Sequence, residues 1–375
     1  MSHGKSNSAC NPGDAQVTRR GAITLGGLAA VCAATAADSG RPPAFTAADI
    51  GALPGVLLPP APHTVMTALD VPPGRDALRA YTMLSRLTRA APAGTQVSLA
   101  IGASWFDKAG LAGVRPSALA PMPAFQGDVL DAGLVHGDLF LQVSAATAEP
   151  ARHAADAWTR AVPGVRVRWQ KRGFRPGGHV SGGRALARNL FGFVEGHGNP
   201  SFQEDPSPAD VVRVPAGAGE PAWAVGGTYQ VVRTIRFATR LWDADPLPVQ
   251  ERVMGRRRDG AWLDGTTPTG RPAFADDPDG RITPLDAHTR RANPGTPGVP
   301  APRMLRRGYA YHEGPDAQGM LFVAFQGDME RGFAGVQRRL AGQTLDRYTL
   351  TIGGGYYFLP DPSHGEPHEF RSDDA

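Results

Sequence analysis

Cysteine is almost missing from this chain of 375 residues, and its placement says more than its count. Only Cys10 and Cys32 occur, both within the first 37 residues. With that segment removed, disulfide frameworks, CxxC zinc sites and cysteine nucleophiles are excluded together. Beyond position 40 no apolar run reaches the roughly 18 residues of a membrane span, which excludes a polytopic membrane protein. A strong charge of one sign is lacking too. The net charge is +4, and half of it lies in residues 1–37, where Lys5, Arg19 and Arg20 face the single acid Asp14. No basic stripe remains for a nucleic acid. A GxGxxG after a strand, a GxxxxGK phosphate loop, HExxH and GxSxG are all absent, so nucleotide, zinc-protease and serine-hydrolase readings lose their main support.

What is present is ordinary globular material: 41% hydrophobic and 20% charged, enough for a sizeable core. The length suits two or three domains, or one large two-layer unit. The 47 glycines and 35 prolines predict many loops.

The N-terminus reads as an address. Arg19-Arg20 precede an apolar stretch, Ala22 to Ala34, and then the small residues Ala34-Thr35-Ala36-Ala37. Charge, a short apolar run and an A-x-A-like cleavage site describe an export signal, and the paired arginines point to the twin-Arg (Tat) route. The plain alternative is a buried helix that begins with two arginines, but Gly26-Gly27 makes a poor core helix. Val31 before Cys32, where a small residue is expected, argues against lipidation.

Downstream, period-two and helical patterns alternate. Val65, Thr67, Leu69 and Val71 predict a strand, and a helix starts at Asp76 with Leu78, Tyr81, Leu84 and Leu87 on its apolar positions. Strands follow at Val97–Ile101 and Leu139–Val143, then a helix over 149–161 and a strand at Val165–Trp169. This βαβ, loop, βαβ order is that of a ferredoxin-like sandwich. The second half is similar: a strand through Tyr229 to Phe237, a helix over 246–254, a strand at Leu321–Phe325 and a helix from Asp328 to Leu340. The fold class is therefore α+β, with helices on one face of each antiparallel sheet. Asp259 to Pro302 has no periodicity, and an unstructured stretch of that length in a compact protein is usually functional.

Two of the ten histidines lie in suggestive surroundings. His288 sits in Pro284-Leu285-Asp286-Ala287-His288-Thr289-Arg290-Arg291-Ala292-Asn293-Pro294, inside the irregular stretch. His197 sits in Gly192-Phe193-Val194-Glu195-Gly196-His197-Gly198-Asn199-Pro200, where glycines bracket an acid and allow close backbone approach to a ligand. Composition alone leaves an exposed turn as the default for both. His63, His136, His153, His179 and His312 have no clustered neighbours and read as surface or core.

The motifs together resemble the dye-decolourising (DyP-type) haem peroxidases, and among them the Tat-exported deferrochelatase/peroxidase branch. Arg188-Asn189-Leu190-Phe191-Gly192-Phe193-Val194-Glu195-Gly196 is similar to that family's R-N-L-x-G-F-x-D-G signature. Leu285-Asp286-Ala287-His288 with Arg290 and Ala292-Asn293-Pro294 is similar to its haem-ligand segment, and Met304-Leu305-Arg306-Arg307-Gly308-Tyr309 to its distal-arginine segment. Gly137-Asp138-Leu139, Arg168-Trp169-Gln170, Gly226-Gly227-Thr228-Tyr229, Leu321 to Gln326 and Ile352 to Tyr356 follow in family order. The resemblance spans roughly 50–360.

It implies a DyP fold of two ferredoxin-like domains, at 45–200 and 201–360, between the leader at 1–37 and a polar tail at 361–375. It implies one haem b per chain, with His288 as the proximal iron ligand and Arg306 as the distal arginine. Gly196, His197, Gly198, Asn293, Pro294 and Gly295 are the implied haem contacts. Asp328 is the candidate to orient the His288 ring, or else it caps the helix that begins there. Arg307 and Arg303 are candidates for the haem propionates, or face solvent.

Three departures stand out. Glu195 occupies the place of the family's distal Asp, and one more methylene shifts the carboxylate by about 1 Å. His197 replaces a usual Thr and is open to three readings: an alternative distal base, a bystander, or a second iron ligand. Gly295 replaces a usual Arg. The expected function is that of an exported, periplasmic peroxidase that takes hydrogen peroxide and a bulky organic reductant, linked to iron uptake and its partners. A homodimer is compatible with it. Tyr309, Tyr311, Trp223 and Trp242 are candidate relays to surface donors. The alternative is a haem-binding, deferrochelatase-type protein with little turnover.

Overall fold

The computed structural model describes residues 53–177, 179–181, 184–200, 207–295, 302–361 and 363. The leader at 1–37, both cysteines and nearly all of the tail at 361–375 lie outside the described residues. The described residues belong to one compact unit, Ala44–Ala375, and no helix among them is long and apolar enough to cross a membrane.

The first half runs β1 (His63–Asp70), α1 (Arg75–Arg89), β2 (Thr95–Gly102), β3 (Leu139–Ala145), α2 (Ala148–Ala161) and β4 (Arg166–Phe174). A hairpin of β5 (His179–Ser181) and β6 (Arg184–Leu186) leads to the second half. There, β7 (Thr228–Phe237), α3 (Leu247–Met254), α4 (His288–Ala292), β8 (Leu305–His312), β9 (Gln318–Gln326), α5 (Gly335–Leu340) and β10 (Thr349–Leu359) follow.

All main pairings are antiparallel, and the sheet order is β4-β1-β3-β2 in one half and β10-β7-β9-β8 in the other. Each half thus has the fourth-first-third-second order of a ferredoxin-like sandwich. Pairing of β2 with β10 and of β4 with β8 closes the eight strands into a barrel.

Closure buries most strands on both faces. In β1, Val65 and Leu69 pack under the helices while Met66 and Ala68 project into the lumen. The lumen is filled by rings, Phe140 stacking on Tyr357 at 4.6 Å, and by polar pairs such as Gln230 with Gln142 at 3.1 Å. Helix α1 buries Ala77, Ala80, Tyr81 and Leu84, an i, i+3, i+4, i+7 stripe. Asp76 in its first turn and Arg86 and Arg89 in its last oppose the helix dipole favourably. Helix α2 does the same with Ala151, Ala155 and Trp158.

The expected helix from Asp328 to Leu340 is a π turn at Glu330–Ala334 followed by α5. β8 and β10 have no counterpart among the strands read from periodicity. β8 carries Arg306, on which the site is built.

Candidate functional site

The long crossover from β7 to β8 presents His288 as the first residue of α4. This short helix is held by a buried ion pair rather than by its own length. Arg290 donates to Asp277 Oδ2 at 3.0 Å and to the carbonyls of Thr283 and Asp277, each at 2.7 Å. Asp277 in turn accepts from the backbone N–H groups of Thr283, Ile282 and Arg281, which hold its carboxyl below the usual range. His288 Nδ1 lies 2.7 Å from Gln343 Oε1, and Gln343 Nε2 donates to Asp346 Oδ1 at 3.0 Å. Burial pushes the imidazole below its ordinary value, with the Arg306 charge adding to that and the Gln343 contact opposing it. The ring is therefore neutral, and its Nε2 makes no hydrogen bond among the described residues. A neutral imidazole nitrogen with a free lone pair is a metal ligand by its chemistry.

Arg306 stands on the outer face of β8, paired with Ala324 of β9. Asn199 grips it at three points: Oδ1 accepts from the Arg306 backbone N–H at 3.0 Å and from Nε at 3.3 Å, and Nδ2 donates to the Arg306 carbonyl at 2.8 Å. Gly198 lies against the guanidinium so closely that a Cβ there would sit 2.7 Å from Nη2. Glu195 approaches the same face of β8 two residues along. A Cβ on Gly308 would lie 2.7 Å from Glu195 Oε2, so glycine at that position makes room for the carboxyl. Burial pushes the Glu195 carboxyl up, while the Arg175 charge, a hydrogen bond from Asn189 and the Arg306 charge pull it back. Arg175 is itself fixed by donation to the Gly308 carbonyl at 2.6 Å. Burial also lowers the Arg306 guanidinium, and Glu195 counters that. His288, Arg306 and Glu195 are each half-buried, and the Arg306 charge acts on both the imidazole and the carboxyl, which places the three in one region.

The other expected residues are distributed less simply. His197 packs its Nε2 against Gly260, whose left-handed φ of 96° and missing Cβ make space for the ring. Gly196 (φ 98°) and Gly295 (φ 61°) are left-handed turns beside Leu186 and Phe274. Asn293 closes α4 by donating its N–H to the Thr289 carbonyl at 3.1 Å, and Pro294 follows it.

Arg307 meets neither solvent nor the cavity. Because neighbours on a strand face opposite sides, it points into the lumen, where it donates to the Val56 carbonyl and leaves Nε and Nη1 without partners among the described residues. Arg303 is half-buried, its N–H bonded to the Arg331 carbonyl. Asp328 does not reach His288: its Oδ1 accepts from the N–H groups of Glu330 and Arg331, so it caps the turn, and Gln343 takes the place beside the imidazole. Of the four aromatic candidates, Tyr309 and Tyr311 are buried in the lumen cluster, Trp223 stacks on Phe106 at 5.8 Å, and Trp242 lies 4.4 Å from Phe191 and 4.9 Å from Tyr348.

Several residues that complete the site carried no signal by themselves: Asn199, Asn189, Arg175, Gln343, Asp346 and Arg256. Arg256 stacks on Trp262 at 3.5 Å and donates to the Gly260 carbonyl at 2.7 Å. Burial, with repulsion from Arg306, pushes it down to about 10, and it forms no ion pair among the described residues. Two repelling guanidiniums, a carboxyl near one of them and a free imidazole nitrogen make a donor set that suits an anionic, metal-bearing ligand such as an iron tetrapyrrole.

Comparison with known proteins bears on the same region. The family model described as Dyp-type peroxidase, N-terminal matches residues 54–175, and that described as Dyp-type peroxidase, C-terminal matches 186–364. The chain is 42% identical over 276 residues to a deferrochelatase of Yersinia pseudotuberculosis, covering 71% of this chain and 64% of that protein. It is 41% identical over 277 residues to the deferrochelatase of Escherichia coli K12, covering 72% and 66%. The match thus spans just under two thirds of these relatives' length. Among solved structures, an oxyferrous/water mixed complex of DtpA from Streptomyces lividans superposes with a TM-score of 0.74 at 34% identity, covering 82% of this chain and 91% of that one.

Proposed function

Because the chain belongs to the Dyp-type peroxidase family, we propose that it is a haem b peroxidase, with one haem per chain, that reduces hydrogen peroxide while oxidising bulky organic donors. The observation that carries this reading is the convergence of His288, Arg306 and Glu195, from three separate segments, on one buried region. His288 would hold the iron, and Arg306 and Arg256 would face the haem's negative groups. When bound, the haem supplies the electrons for O–O cleavage at its iron.

The chain's own residues do the rest. Arg306, charged at any working pH, favours the deprotonated peroxide at its guanidinium. Glu195 in its ionised form would accept one proton from a peroxide held at Arg306 and give it back to the oxygen that departs as water. Asn199 and Gly198 hold the guanidinium where that transfer needs it. The paired arginines and apolar stretch of the leader support export by the Tat route to the periplasm, in an iron- or haem-uptake setting.

A second reading, haem handling with little turnover, is favoured by one specific observation. The Arg175 charge and a hydrogen bond from Asn189 act on the Glu195 carboxyl beside Arg306, so the carboxyl is not committed to Arg306 alone. The name deferrochelatase borne by the Yersinia and Escherichia relatives is in keeping with it. Ultraviolet–visible spectra of the haem-loaded chain, before and after one equivalent of peroxide, separate the two. A high-spin ferric spectrum that peroxide converts, more slowly in Glu195→Ala, supports the peroxidase. A spectrum unmoved by peroxide supports haem handling. Retention of normal haem binding in His288→Ala would refute the ligand assignment.

A further inference from the structure

Behind His288 the structure holds two hydrogen bonds in series, and their chemistry fixes more than a position. A primary amide fits a given space either way round, but an ionised carboxylate only accepts. Asp346 therefore holds the NH2 end of Gln343 toward itself, at 3.0 Å, and leaves the amide carbonyl for the imidazole, at 2.7 Å. That carbonyl only accepts as well, so the His288 proton must reside on Nδ1 and the lone pair on Nε2.

The turn that carries both residues is stitched to the histidine's own segment. Gln343 precedes the 3-10 turn Thr344–Arg347, whose Thr344 bonds through its hydroxyl to the Asp286 carboxylate and through its N–H to the Asp286 carbonyl at 3.4 Å. Asp286 lies two residues before His288. Tyr348, directly after the turn, donates to Asp245. The relay is thus anchored at both ends and cannot drift relative to the ring.

We propose that Gln343 and Asp346 are positioning residues for the axial ligand, setting the His288 tautomer and, because the group in contact is a neutral amide, leaving the imidazole a weak donor to iron. The proposal rests on the reading of His288 as that ligand. A carboxylate in direct contact would take a larger share of the Nδ1 proton and raise the basicity of Nε2, stabilising the ferric state. The amide cannot do this. It gives orientation without the extra electron donation, and the negative charge stays one residue removed, on Asp346.

The test exchanges the two groups without changing size, charge or hydrogen-bond count. In the haem-loaded full chain, the double substitution Gln343→Glu with Asp346→Asn moves the carboxylate against His288. The ferric/ferrous midpoint potential, read by spectroelectrochemistry, should fall relative to the parent. Gln343→Leu removes the acceptor altogether; its potential should not fall, and transfer of haem to an acceptor protein should quicken about tenfold or more, the usual scale for losing such a partner. An unchanged potential in the double variant overturns the proposal, as does a fall of equal size in Gln343→Leu. His288→Ala, measured beside them, keeps the two failures apart: an unaltered haem spectrum there removes the ligand assignment itself, whereas loss of axial ligation there with no potential shift in the double variant removes only the relay.

Discussion

Substituting Gly198 by Ala tests whether the position of Arg306, and not only its presence, governs turnover. A Cβ on Gly198 would lie 2.7 Å from Arg306 Nη2, whereas comfortable non-bonded contact needs about 3.5–4.0 Å. The gap must open by about 1 Å. Gly198 is exposed and is not among the glycines with left-handed φ, so the methyl group brings no backbone strain and the guanidinium must yield. It cannot simply slide, because Asn199 Oδ1 holds both the Arg306 N–H and its Nε; only rotation about the end of the side chain is left.

Misplacement of a catalytic group by about 1 Å costs about 10²-fold, equivalent to about 2.7 kcal/mol at about 1.36 kcal/mol per decade. The assay is kcat/KM for hydrogen peroxide on haem-loaded Gly198→Ala, with thermal unfolding run in parallel. The expected result is a loss of about a hundredfold in kcat/KM with the unfolding temperature nearly unmoved. Parental kcat/KM at parental stability would refute the reasoning, since it would mean that Arg306 is not needed where Asn199 and Gly198 hold it.

Three further outcomes follow from the same geometry. Glu195 is pushed up by burial, so as pH rises from the ordinary glutamate range toward the raised value the folded state retains a proton that the unfolded chain has lost, and stability falls across that window. Activity should rise through the same window as the base form appears, and in Glu195→Gln both dependences should vanish from pH-resolved unfolding and peroxide kinetics. Asn199→Ala strips three hydrogen bonds from a half-buried arginine, so chemical denaturation should show a loss of about 1–3 kcal/mol together with reduced kcat. Asp277 is held low by the backbone N–H groups of Thr283, Ile282 and Arg281, so what it contributes is present above the ordinary aspartate value and is lost as pH falls through the lowered one. The gap in unfolding temperature between the parent and Asp277→Asn should therefore be widest near neutrality and close in acid; a gap independent of pH would exclude that account.

Much of the frame was legible because the first half advertises it. Val65, Leu69 and the Ala77–Leu84 stripe follow the periods of two and 3.6 that one-sided burial imposes. β8 and β10 were illegible because their sequences do not alternate. Arg306, Arg307 and Gly308 break hydrophobic alternation in one, and in the other Gly353 and Gly354 do so where Leu134 and the Val232 carbonyl pack too close for a side chain. His288, Arg306 and Glu195 could be reached through motif resemblance, but Arg175, Gln343 and Asp346 could not. Gln343 and Asp346 look like any polar turn, and only the fold brings them 55 residues along the chain to His288. Asp328 was the nearer guess because a carboxylate is the expected acceptor, yet its turn uses it locally.

The duplicated topology explains why only one half carries a site. In the first half the β1–β2 crossover is the single helix α1, whose apolar stripe seals the sheet. In the second half the equivalent crossover, from Phe237 to Leu305, is expanded, and it delivers Arg256 and His288 instead of a sealing helix. The β9–β10 crossover then adds Gln343 and Asp346 behind the histidine, and the segment between the halves adds Glu195, Gly198 and Asn199 before Arg306. These site groups thus come from connections or from the outer face of β8, while the barrel beneath is closed and packed in its lumen. A rigid frame with functional connections lets the acid, its spacing from Arg306 and the histidine's partner change one at a time. Glu195, His197 and Gly295, the positions at which the sequence differs from the motifs it resembles, all lie outside the barrel strands.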